Sequence, residues 1–149
     1  MKPSSIAQQA VLAYLTFAGL LVGVWAAFFP RSFYDDFPGM GRVWVAVDGP
    51  FNEHLVRDVG QLSLALSVVT LAAAITMVPV LVRVAAAAWL VNAVPHLVYH
   101  LRHLEGFDAV DKAGEVVSLG LLVLLPALVL VLSYRAGDDR SRSAPTAAA

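Results

Sequence analysis

Four apolar stretches of about 20 residues each occupy most of this 149-residue chain. A helix that crosses the hydrocarbon core of a bilayer needs about 20 mostly apolar residues. The stretches run from about Gln9 to Phe29, from Val59 to Val78, from Val80 to Leu101 and from Ala113 to Tyr134. They predict an all-α fold, a bundle of four transmembrane helices, in one domain that covers residues 1–135. The remaining residues, 136–149, are small or polar and predict a disordered tail.

The composition excludes several classes of protein. Charged residues make up 14% of the chain and hydrophobic residues 59%, whereas soluble domains have about 25% and about 45–50%. The net charge of −1 gives no basic surface for nucleic acid. The chain contains no cysteine, which excludes disulfides, thiolate metal sites and thiol redox chemistry of its own. We therefore expect a small multi-pass protein whose main surroundings are the lipid bilayer.

The connections between the stretches define two faces of the membrane. Because the second and third stretches are joined only by a turn at Pro79, residues 30–58 and 102–112 lie together on one face, which we call the loop face. The ten Lys and Arg residues divide equally between the two faces, but nine of the eleven acidic residues lie on the loop face. The basic tail favours cytoplasmic termini in a bacterial cytoplasmic (inner) membrane.

Polar residues cluster near the loop face on three of the predicted helices. At about 100° per residue, the polar residues of each helix share one arc of its surface. Because lipid is a poor environment for polar groups, we expect the three arcs to turn inward around one pocket. Pro95 removes a backbone donor and is expected to open the third helix beside that pocket. The expected pocket residues are His54, Arg57, Asp58, Gln61, Asn92, His96, Tyr99, His100, His103, Asp111 and Glu115.

A long aromatic-rich loop is predicted between the first and second helices. Eight of the fourteen aromatic residues lie between Trp25 and Phe51. Aromatic rings collect at membrane interfaces, so one interpretation is an interfacial belt. The other is a lid over the polar pocket, with turns at residues 38–39 and 49–50 and a short extended piece from Val43 to Val47.

The histidines leave metal binding open. His96 and His100 are four residues apart, so both could face one divalent metal ion such as zinc. His103, His54, Glu115 or Asp111 could complete the ligand set, and the set of His96, His100 and His103 is the one we predict. The spacing matches that of a zinc-protease helix, but Leu97 replaces the glutamate of that motif. Haem is disfavoured because only His54 could supply a second axial ligand. The alternative is that these groups only complement helix dipoles and pair with one another.

Proton transfer is the other chemistry that these residues predict. The candidate catalytic residues are His96, His100 and Glu115, which could move protons at the head group of a lipid-soluble substrate. Binding without catalysis explains the same residues. The main hypothesis is that the pocket binds a lipid-like or quinone-like ligand, or that the chain is an accessory subunit of a membrane complex. The alternative is an integral membrane enzyme, either metal-dependent or using His and Glu as acid and base.

Two glycines on the first predicted helix indicate close helix packing. Gly19 and Gly23 are four residues apart, a spacing that lets two helix backbones approach each other. The partner helix could belong to the same bundle or to a second copy in a homo-oligomer.

The order of short motifs resembles that of a known group. The motifs that carry the resemblance are Phe28-Phe29-Pro30, Phe33-Tyr34-Asp35-Asp36-Phe37-Pro38, Asn52-Glu53-His54, Arg57-Asp58-Val59-Gly60 and Pro95-His96-Leu97-Val98-Tyr99-His100. This pattern resembles the DoxX-like group of small four-helix bacterial integral membrane proteins, in particular a branch of actinobacterial hypothetical proteins. The resemblance implies a four-helix bundle. Some members are linked to quinone-coupled oxidoreductases or redox-stress complexes, which implies a subunit role near a quinone.

Overall fold

The structure, a computed structural model, describes residues 3–142 and the side chains of residues 5–135. Within this range, four helices are long and apolar enough to cross a membrane: α1 (Pro3–Phe28), α3 (Glu53–Thr76), α4 (Pro79–Leu101) and α5 (Ala109–Arg142). The spanning parts of the first and last are Ser5–Phe28 and Ala109–Arg135. The all-α fold and the four predicted spans are therefore confirmed.

The segment between α1 and α3 has its own secondary structure. The short helix α2 (Pro30–Asp36) follows α1 directly. Strands β1 (Pro38–Gly39) and β2 (Arg42–Val43) then pair antiparallel, and a 3-10 helix forms at Ala46–Asp48. We call residues 37–52 the connecting segment. The extended piece expected from Val43 to Val47 is shorter than predicted because the chain coils into the 3-10 helix.

Two helices begin earlier than predicted because a polar side chain caps each of them. Asn52 accepts a hydrogen bond from the first turn of α3 at 3.1 Å, and α3 begins at Glu53. Asp108 accepts two hydrogen bonds from the first turn of α5, each at 2.8 Å, and α5 begins at Ala109. Such caps satisfy backbone donors that have no partner inside the helix. Both helices therefore extend farther toward the loop face than their apolar stretches do.

The last helix also ends later than predicted. α5 continues past Tyr134 to Arg142, so residues 136–142 are helical where a disordered tail was expected. A helix satisfies its own backbone hydrogen bonds from turn to turn and can therefore continue beyond the apolar stretch. The rest of the expected tail, residues 143–149, lies outside the described residues.

The long helices pack mainly as two pairs, α1 with α3 and α4 with α5. On α1, Gly19 and Gly23 face α3, where Ser67 and Leu64 occupy the space that their Cβ atoms would take. The glycine spacing therefore provides close packing within this chain.

The two pairs join at the end of the molecule near the Pro79 turn. One buried cluster there contains residues of all four long helices: Leu12, Ala73, Ala74, Val82, Ala85, Ala86 and Val129. Beside it, the indole Nε1 of Trp89 on α4 donates a hydrogen bond to Thr70 Oγ1 on α3 at 2.9 Å. Tight packing near the turn thus holds the four helices together.

At the loop face, aromatic rings link the two pairs through the connecting segment. Trp25 of α1 contacts Phe33 and Phe37 with ring centroids 5.9 Å apart, and Phe37 contacts Trp44 at 6.0 Å. Trp44 in turn lies against Gly114 of α5, where an added Cβ would be 3.1 Å from the indole. The rings therefore form a continuous path from α1 to α5 and place the connecting segment over the start of α5.

We expect Gly60→Ala to destabilise the protein. A Cβ at this position would lie 2.3 Å from the backbone nitrogen of Ala27 and 2.8 Å from the backbone carbon of Ala26, and neither atom can rotate away. Overpacking of this kind costs about 1–3 kcal/mol. The matched control is Gly120→Ala on α5, whose Cβ would meet no atom within 4 Å. Thermal unfolding in mild detergent checks this, and equal midpoints for the two variants would contradict the α1–α3 contact.

Candidate functional site

A buried histidine and a buried glutamate meet where α4 and α5 face each other near the loop face. His100 lies one residue before the end of α4, and Glu115 lies in the second turn of α5. His100 Nδ1 and Glu115 Oε1 are 2.7 Å apart, and the two side chains are only 12% and 3% exposed. Both residues belong to spanning helices, so this is an ionisable pair inside the membrane-crossing part of the chain.

This pair is incompletely satisfied within residues 3–142. The contact has the distance of an ion pair but not the geometry of a hydrogen bond, and His100 Nδ1 has no hydrogen-bond partner. The second carboxylate oxygen, Glu115 Oε2, is also buried and has none. Nearly all buried polar atoms in native proteins have a partner, and leaving one without costs about 1–3 kcal/mol. A hydrogen-bond donor placed at Glu115 Oε2 would therefore be stabilising.

His96 extends the site toward the surface of the spanning helices. Its ring meets that of His100 edge-on, with centroids 4.5 Å apart. Seven residues, about two helical turns, separate His96 from Trp89, so both lie on the same face of α4. Trp89 is buried against α3, whereas His96 is exposed. The face of α4 that α3 covers near the turn is therefore open at the level of His96.

His96 lies within the depth of the hydrocarbon core. Taking residue 90 as the middle of α4, His96 is about 9 Å from the midplane of a core whose half-thickness is about 15 Å. Asp48, on the 3-10 helix of the connecting segment, is near enough to interact electrostatically with both His96 and Glu115. Charged and titratable groups from three parts of the chain thus converge at this level.

The connecting segment is fixed to α5 one turn before Glu115. Trp44 Nε1 and Arg42 Nη1 both donate to Asp111 Oδ1, at 2.8 and 2.6 Å. The hydrogen bond with Asp111 favours the charged form of Arg42 and raises its pKa. Because the Trp44 indole also lies against Gly114, the segment covers the start of α5 beside Glu115.

The polar residues of α3 do not join this site. The His54 side chain is 88% exposed and pairs with Asp58 of the same helix at 3.4 Å. Arg57 donates to the Ala27 carbonyl at the end of α1, and Gln61 is exposed. The close packing of α3 on α1 directs these side chains away from α4. The single pocket expected from three helices is corrected to a site formed by α4, α5 and the connecting segment.

Of the remaining α4 residues, Tyr99 meets the His100 ring edge-on, with centroids 5.3 Å apart, whereas His103 and Asn92 are separated from the pair. His103 lies beyond the end of α4 and its ring stacks on that of Tyr99, with centroids 4.1 Å apart. Asn92 is exposed about one turn before His96. The expected metal site of His96, His100 and His103 is not assembled, and no group of three His, Asp or Glu side chains in the described chain is arranged to hold a metal ion. The reason is that α4 ends at Leu101, so helical spacing does not reach His103.

Three residues of the site, Arg42, Trp44 and Asp48, were not among the predicted pocket residues. One sequence signal points to two of them. Side chains two positions apart on an extended segment point to the same side, so Arg42 and Trp44 can reach one acceptor together. Which acceptor they reach depends on how the connecting segment folds across the bundle.

Comparison with protein family models, with curated proteins and with solved structures finds no match for this chain. The role of the site is therefore argued from its own residues.

The buried pair predicts a characteristic result in a double-mutant cycle. Glu115→Leu should lose about 3 kcal/mol of stability because it leaves a buried imidazole without its partner. The double variant His100→Leu/Glu115→Leu should recover most of this loss, because apolar residues then replace the pair. The measurement is thermal unfolding of all variants in the same detergent.

The control for this cycle is Glu105→Leu, a change of the same kind at an exposed position on the loop face. We expect this variant to unfold at the same temperature as the wild type. If Glu115→Leu also unfolded at the wild-type temperature, the Glu115 carboxylate would only complement the helix dipole.

Proposed function

We propose that this multi-pass membrane protein binds the polar head group of a lipid-like or quinone-like molecule at the His100–Glu115 pair. The observation that carries the proposal is the buried oxygen Glu115 Oε2, which has no partner within residues 3–142. Ionisable groups inside a membrane are costly and generally have a function. A ligand hydroxyl that donates to this oxygen would satisfy it.

The position of His96 favours a ligand that comes from the lipid. Its imidazole is exposed beside His100 at a depth where the surroundings are hydrocarbon. Imidazole both donates and accepts hydrogen bonds, so it suits a head group that carries a hydroxyl or carbonyl. A molecule with an apolar tail could keep the tail in the bilayer while its head reaches the pair.

The aromatic connecting segment acts in this proposal as a lid. Trp44 lies against Gly114, and its hydrogen bond to Asp111 holds it there. A lid of this kind excludes water from Glu115, and electrostatic interactions are stronger where water is excluded. The head group would then enter and leave past His96, on the side that the lid does not cover.

The membrane, the orientation and the family of the chain are part of the same proposal. We place the chain in a bacterial inner membrane with cytoplasmic termini, so the site faces the opposite side. The motif order quoted above supports membership of the DoxX-like group, in an actinobacterial branch. A role as an accessory subunit of a quinone-linked membrane complex would use the same head-group site.

One observation favours a catalytic alternative. His100 Nδ1 and Glu115 Oε1 are 2.7 Å apart, within reach of each other as acid and base, and a reorientation of the two side chains would align them for proton transfer. An enzyme that uses this pair as acid and base would bind the same class of molecule and then change it.

The proposal predicts that a lipid-like molecule copurifies with the protein in mild detergent. Mass spectrometry of the extracted lipids should find one class retained by the wild type and reduced at least about tenfold in Glu115→Gln, because a hydrogen bond to a charged group is lost. Incubation of the retained molecule with fresh protein separates the two functions. An unchanged molecule indicates binding, and a chemically altered one indicates catalysis.

The exposed His54–Asp58 pair provides matched controls on the same face of the membrane. Asp58→Asn and His54→Ala should retain the molecule like the wild type, whereas Glu115→Gln and His100→Ala should not. A wild-type preparation free of bound lipid, or equal retention by Glu115→Gln and the wild type, would overturn the proposal.

A further inference from the structure

A second groove lies where α1, α2 and α3 meet at the loop face, apart from the His100–Glu115 pair. It is a shallow depression of about 510 Å³ that is largely open to its surroundings. Its lining includes Phe29, Arg31, Ser32, Phe51, Glu53 and Arg57. Two guanidinium groups, one carboxylate and two aromatic rings thus surround one space.

Both arginines are fixed in place by contacts within the chain. Arg57 donates from Nε to Glu53 at 2.8 Å and from Nη1 to the Ala27 carbonyl. Arg31 donates from Nε to Asp35 at 2.6 Å, and its guanidinium lies over the Phe51 ring, 5.1 Å from the centroid. These contacts orient the two guanidinium groups, that of Arg57 more than that of Arg31, whose side chain is 67% exposed.

Each arginine nevertheless keeps donors free. Arg57 Nη2 and both terminal nitrogens of Arg31 make no hydrogen bond within the described chain. A guanidinium with free N–H groups in a fixed plane matches the oxygens of a phosphate. The groove therefore carries donors suited to a phosphate group.

The groove lies at the depth of lipid head groups. α1 ends at Phe28 and α3 begins at Glu53, so the groove is at the boundary of the spanning region. Beside it, Phe28 and Phe29 are 63% and 61% exposed, as expected for rings that contact the interfacial part of a bilayer. A phosphate that reaches this depth with apolar chains attached belongs to a phospholipid.

The charges around the groove favour a zwitterionic head group. The lining carries charges of both signs, because the carboxylate of Glu53 lies beside the guanidinium groups of Arg31 and Arg57. A phosphate would bind the free guanidinium donors, and a primary ammonium would donate to the carboxylate of Glu53. We propose that this groove binds a phospholipid whose head group combines a phosphate with a primary amine.

Lipid titration followed by native mass spectrometry tests the inference. The wild type, stripped of lipid in detergent, is titrated with a phosphoethanolamine lipid and with a phosphoglycerol lipid of the same acyl chains. Arg31→Gln should bind the phosphoethanolamine lipid about tenfold more weakly than the wild type, because charge-assisted hydrogen bonds are lost. Glu53→Gln should lose the preference for the amine-bearing lipid.

Three controls make each result decisive. Arg102→Gln changes an exposed arginine on the same face whose side chain forms no hydrogen bond or ion pair in the described residues, and it should bind like the wild type. Glu115→Gln should also bind like the wild type, because the groove is separate from the pair. Soluble phosphoethanolamine without acyl chains should compete only weakly.

Three outcomes would overturn the inference. Arg31→Gln could bind like the wild type, or Arg102→Gln could weaken binding equally, which would indicate surface charge alone. Equally strong binding of soluble phosphoethanolamine would indicate a site for a free phosphate compound instead of a lipid. The melting temperature of Arg31→Gln verifies folding, which we expect to be unchanged because this side chain is 67% exposed.

Discussion

The contact between His100 and Glu115 is the constraint on which the candidate site depends. Two ionisable side chains at 12% and 3% exposure are held 2.7 Å apart within helices that cross the membrane. Burying such a pair costs free energy unless its remaining hydrogen bonds are satisfied, and Glu115 Oε2 is not satisfied within the described part of the chain. Apolar residues in place of the pair would pack in the bundle without the free-energy cost of burying ionisable groups. Stability alone therefore does not explain the presence of the pair.

The fold builds an enclosure for this contact with few residues. Packing near the Pro79 turn joins all four long helices, while at the other end the connecting segment links α1 to α5. Trp44 reaches α5 because edge-on ring contacts lead there from α1, and Asp111 holds it in place. The same arrangement leaves His96 exposed where α3 no longer covers α4. The connecting segment thus covers one side of the site, and His96 is exposed on the other.

Much of the fold could be predicted from the sequence, because apolar stretches of about 20 residues have few alternatives to membrane-spanning helices. The concentration of polar residues at the loop face also followed from topology alone. The sequence could not predict which side of α3 turns toward α4, because this depends on how closely Gly60 approaches the backbone of Ala27. The predicted metal site of three histidines is not assembled because α4 ends at Leu101, before His103. The arginine groove depends on a tertiary contact between Arg31 and Phe51, which no local pattern indicates.

The most direct test of the head-group site is an experimental structure of the protein in a lipid bilayer disc that retains copurified lipid. The proposal predicts density for a polar group within hydrogen-bond distance of Glu115 Oε2, continuous with an apolar tail that leaves past His96. A structure in which a side chain of this protein or water alone satisfies Glu115 Oε2, with His96 packed against lipid tails only, would contradict it.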